Sequence, residues 1–113
     1  MRWAALVLFA AVLAVAPARA EPGDAYSALI YDHEVAAQCG LLTPRVRQAF
    51  HAARDRLAAR SGLAAAHLKK LRLKAIVAAD REYNNRGLGG YRQWCAGEGR
   101  GGVTRILRAA DET

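Results

Sequence analysis

The sequence predicts an all-α fold, a small bundle of four to five short helices closed by one disulfide. Three observations carry this. Apolar residues recur at three- and four-residue spacing, glycine and proline stand where helices stop and start, and strand-type alternation is absent. The chain has only two cysteines, Cys39 and Cys95, so a single connectivity exists once they are oxidised.

The first segment does not belong to the bundle. Residues 1–16 carry one early charge, Arg2, and then an unbroken apolar run; Pro17 ends it, and Ala18-Arg19-Ala20 offers the small residues a signal peptidase reads. The run falls short of the roughly 20 apolar residues that span a bilayer. Residues 1–20 are therefore expected to be a cleaved signal peptide, leaving a single helical domain over residues 21–113 with no integral membrane segment. The Ala- and Arg-rich composition points to a bacterial chain, and so to a periplasmic or secreted product.

Asp24 is placed to cap a first helix over residues 25–39, which Gly40 ends. Thr43-Pro44 starts a second helix over 44–60: a hydroxyl caps it, and proline sits where its missing N–H costs nothing. A third helix is expected over 64–84 and a fourth, weakened by Gly89-Gly90, over 88–96. Residues 97–102, Gly-Glu-Gly-Arg-Gly-Gly, read as a loop before a last helix over 103–110.

The helix faces supply the candidate core. Helix one is expected to bury Tyr26, Leu29, Ile30, Ala36 and Ala37, helix two Val46, Ala49, Phe50, Ala53 and Leu57, and helix three Leu68, Leu71, Ala75, Ala78 and Ala79. Trp94 and Tyr91 are expected to pack over the disulfide. Two ionisable residues, His33 and Glu82, fall on otherwise apolar stripes. A buried charge must be paired or neutralised, so His33 and Glu82 are expected either to satisfy each other or a tyrosine hydroxyl, or to take part in a site.

The site reading is a metal ion. Asp32, His33 and Glu34 on helix one, with Asp80, Glu82 and Asn84 at the end of helix three, concentrate oxygen ligands and one imidazole. Carboxylate and amide oxygens suit a hard cation such as calcium or a lanthanide; His33 as a ligand shifts the choice to a transition metal. The run is not an EF-hand, because Asn85 stands at its sixth position and Tyr91 at its twelfth.

Charge frames the other reading. Seventeen Lys and Arg against ten acids give +7; without Arg2 and Arg19 the domain keeps fifteen against ten, about +5. Export argues against nucleic acid as the target, which leaves an acidic protein or an anionic envelope surface. Lys69, Lys70, Arg72 and Lys74 form the candidate face. No nucleophile elbow, zinc-protease motif, phosphate loop or free cysteine is present, so no enzymatic activity is expected.

Cys39 near the end of a first helix, with Asn85-Arg86-Gly87 and Tyr91-x-x-x-Cys95, resembles small secreted helical proteins of alphaproteobacteria, which carry a similar Asn-Arg-Gly-Tyr stretch before their second cysteine. This chain departs by the insertion Leu88-Gly89-Gly90, and the resemblance implies no activity. In general shape the chain also resembles acid-stress periplasmic chaperones. That likeness implies a different function, binding of partner proteins through apolar surface uncovered as pH falls.

Overall fold

Helix starts and stops follow the local chemistry of the chain in a computed structural model that describes residues 10–11 and 21–112, with the Leu88 side chain excepted. The expected signal peptide lies outside the described residues apart from 10–11. Helix α1 (Asp24–Gln38) begins one residue earlier than expected: Asp24 is its first residue, and its carboxylate accepts from the Glu21 N–H at 2.8 Å. Helix α2 (Pro44–Ser61) starts as the sequence demands, with the Thr43 hydroxyl accepting from the Val46 N–H at 3.2 Å. Helix α3 (Ala65–Asn84) and helix α4 (Gly87–Trp94) follow.

The expected loop over 97–102 is instead helical. Helix α4 passes through one π turn, Cys95–Gly99, straight into helix α5 (Arg100–Asp111). The Arg100 N–H bonds back to the Cys95 carbonyl, five residues earlier. Read along the sequence, four glycines in six residues signal flexibility; packing gives two of them another purpose. A Cβ on Gly99 would stand 3.0 Å from Cys39 Sγ and 3.1 Å from Leu41 Cδ1. On Gly102 it would stand 3.3 Å from Asp32 Oδ1. These glycines let the long helix lie close against α1 and the turn after it, and that contact outweighs their poor helix propensity of about 1 kcal/mol each.

Helix α1 is the centre of the bundle, packed on α2, α3 and α5, while α2 also packs on α5. The main core joins Tyr26, Leu29, Ile30, Val46, Phe50, Ala53, Ala75 and Ile106. Ile106 is fully buried, which stabilises the fold by about 2–3 kcal/mol. A second core joins Val35, Ala79 and Trp94 over the Cys39–Cys95 disulfide. Trp94 thus sits as expected, whereas Tyr91 is exposed. Two face assignments are corrected: Ala37 and Ala78 are exposed, and Val35 is buried in their stead. Among the described residues no strand occurs, and no helix is long and apolar enough to cross a membrane.

Candidate functional site

The buried charge is Asp32 rather than His33 or Glu82. Asp32 is 6 % exposed and lies on the flank of α1 that faces α5. Arg105 answers it with a two-pronged bond, Nε donating to Oδ2 at 2.9 Å and Nη2 to Oδ1 at 2.8 Å. This fork matches carboxylate geometry, and charge-assisted bonds of this kind are the strong ones. The bond to Asp32 holds the Arg105 guanidinium even more firmly protonated than usual. Glu98 stands 3.6 Å from the same guanidinium.

His33 and Glu82 do not meet. His33 faces α2, where its ring stacks on Phe50 with centroids 3.8 Å apart. Burial pushes its pKa down, helped by the nearby charges of His51, Arg47 and Arg54. Glu82 is half-exposed and pairs with Arg86 one turn on along the chain, so it needs no histidine. The guanidinium of Arg86 also lies 5.4 Å from the centre of the Trp94 ring.

Glu34 and Asp80 are the two candidates brought together. Burial raises the Glu34 pKa, helped by the hydrogen-bonding side chain and negative charge of Asp80 across the α1–α3 contact. Asp80 also accepts from the Gln38 side-chain amide. The amide oxygen of Gln38 is buried and has no partner among the described residues. Asn84 lies with Asp80 along a shallow recess at the end of α3, together with Val77, Arg81 and Asn85. Four of the six expected ligands are therefore divided among the α1–α5, α1–α2 and α1–α3 contacts, while Glu82 pairs with Arg86 and Asn84 is exposed at the end of α3. Among the described residues no three His, Cys, Asp or Glu side chains gather where they could hold one metal ion.

The basic candidates stay together. Lys69, Lys70, Arg72 and Lys74 are all exposed on α3, and none makes an ion pair among the described residues. The apolar residues beside them are what the sequence reading passed over. Leu73 and Val77, one turn apart, are 52 % and 54 % exposed. The signal was available: at 100° per residue they lie on the side of α3 opposite the buried Ala75 and Ala79. Helix α3 packs principally on α1 and so leaves this face open.

Also missed in the sequence were two clefts that meet at Leu41 and Arg100. One, of about 320 Å³, runs past the disulfide beside Tyr83, Tyr91 and Arg92. The other, of about 420 Å³, lies between the start of α2 and α5. Both are at the small end of ligand pockets. Comparison of the chain with protein-family models, with curated proteins and with solved structures gave no match.

Proposed function

We propose that this is a non-enzymatic, exported accessory protein that associates with an anionic membrane surface through the outer face of α3. The carrying observation is the exposed pair Leu73 and Val77 set among Lys69, Lys70, Arg72 and Lys74. No acid occurs on α3 before Asp80. Three of the four exposed cations on this face are flexible, strongly hydrated lysines. Such charges suit a diffuse layer of headgroups better than a fixed carboxylate partner. Basic residues near such a surface contribute about 1 kcal/mol each. Four of them give about 4 kcal/mol, or half-binding at about millimolar lipid. That is weak, reversible attachment, with the two apolar side chains adding to it. A disulfide accords with an oxidising compartment, as does the expected signal over residues 1–20.

Sedimentation with vesicles tests this. Binding is expected to vesicles containing about 30 % phosphatidylglycerol and not to phosphatidylcholine alone, and to fall steeply from about 50 to about 300 mM salt as the Debye length shortens. Binding that ignores lipid charge or salt would contradict the proposal. Binding to an acidic protein with none to vesicles would move the function to that partner.

The Glu34–Asp80 contact supports a narrower second reading, a divalent cation held between these two carboxyls. Because the folded-state pKa of Glu34 is raised, protonation of Glu34 stabilises the fold at acid pH. That contribution is lost as pH rises through the raised value. A cation would therefore stabilise most at neutral pH, by about 2.7 kcal/mol at a hundredfold excess over its Kd. The expected result is a higher Tm in calcium at neutral pH that Glu34→Gln abolishes. No rise with any divalent or lanthanide ion would dismiss the metal.

A further inference from the structure

We infer that the joined clefts around Arg100 bind a small amphiphilic carboxylate, an anionic head on an unbranched aliphatic tail. This site lies apart from the outer face of α3 and stands whether or not that face meets a membrane.

The larger cleft has aliphatic walls: Leu41 from the turn after α1, Val46 from α2, and Val103 and Leu107 from α5. Its charged lining residues are Arg45 and Arg100, and the adjoining cleft adds Arg92. Among the described residues no carboxylate lines either space. None of the three arginines makes an ion pair among the described residues, whereas Arg54, Arg86 and Arg105 all do. Arg100 where the two clefts join, with Arg45 in the cleft walled by Leu and Val and Arg92 in the other, asks for an anion that carries apolar bulk. The planar donor fork of arginine fits a carboxylate, and burial of an aliphatic chain against the walls adds about 0.8 kcal/mol for each methylene removed from water.

The backbone builds the junction. The π turn ends at Gly99, and its last bond runs from the Arg100 N–H to the Cys95 carbonyl. Gly99 lies flush against Cys39 and Leu41, and the next residue, Arg100, lines both clefts together with Leu41. Such single π turns within α-helices are frequent at functional sites.

The test is an NMR titration of the oxidised protein with sodium decanoate, with decanol and acetate as the tail-only and head-only probes. Saturable shifts are expected at the amides of Leu41, Val46, Val103 and Leu107. Arg100→Ala should weaken decanoate about tenfold, the effect of one lost charge-assisted bond. Arg45→Ala should act in the same direction, and Arg108→Ala, on α5 outside both clefts, should leave affinity unchanged. Arg100 and Arg45 are exposed, so these variants keep the core intact. Decanol and acetate should each bind at least about tenfold more weakly than decanoate. The inference fails if decanoate causes no saturable shift at these amides, if decanol binds as tightly, or if Arg100→Ala changes nothing.

Discussion

Removing the disulfide by the paired change Cys39→Ala and Cys95→Ala is expected to lower the unfolding free energy by about 4 kcal/mol. The bridge joins residues 56 positions apart, so without it the unfolded chain regains the entropy of a long open loop. Domains of this size hold only about 5–15 kcal/mol in all, so the loss is a large share of the total. Folded-state packing adds to it. The bridge underlies the small core of Val35, Ala79 and Trp94 and fixes the π turn against the end of α1. Urea unfolding followed by the fluorescence of buried Trp94 measures the difference between the oxidised protein and the alanine pair. A change below about 1 kcal/mol would mean that the helices dock without the link, contrary to the chain-entropy account.

Arg105→Ala is expected to cost about 2 kcal/mol. Stripping one partner from a fully buried ion pair costs about 3–5 kcal/mol, because the other charge is left without compensation. Here the Asp32 side chain is 8 % exposed but that of Arg105 is 50 % exposed, so water reaches the cation and the lower figure applies. Arg105→Lys should recover only part, since a lysine supplies the charge without the fork. The informative variant is Asp32→Asn with Arg105→Ala, which leaves no unpaired charge and should cost less than the sum of the two single changes. By contrast Arg86→Ala breaks an exposed pair with Glu82 and should fall within about 1 kcal/mol. Equal losses at Arg105 and Arg86 would refute the view that Asp32 is the buried charge that matters.

The elements legible in the sequence were those with local causes. Thr43-Pro44 fixes the start of α2 because capping is a contact over three residues, and the only two cysteines of the chain left one pairing. What sequence hid was set by distance. Arg105 lies 73 residues beyond Asp32, and no periodicity within α1 says that a guanidinium will arrive from α5. The same contact explains the misread glycines: Gly99 and Gly102 are helical because α1 presses on them, a cause that lies outside their own segment. Helical periodicity located His33 on a stripe but not the neighbour that stripe meets, and Phe50 stacks on it where Glu82, a tyrosine hydroxyl or a metal ion was expected. Of the candidate sites, the four cations of α3 were legible as a run of charge. The clefts at Arg100 were not, since residues from α1 onward to α5 assemble them only in the folded chain.

If one particular face of α3, rather than net positive charge, attaches this protein to an anionic surface, two variants of equal charge must bind differently. Vesicle binding of Lys70→Gln/Lys74→Gln, beside Leu73 and Val77, should be compared with that of Arg47→Gln/Arg60→Gln on α2. Both pairs are exposed and both variants lose two positive charges. The α3 pair is expected to weaken binding about thirtyfold, as two lost contributions of about 1 kcal/mol require, while the α2 pair changes it little. Equal weakening by the two variants would show that overall charge alone is responsible and would contradict the assignment of the α3 face.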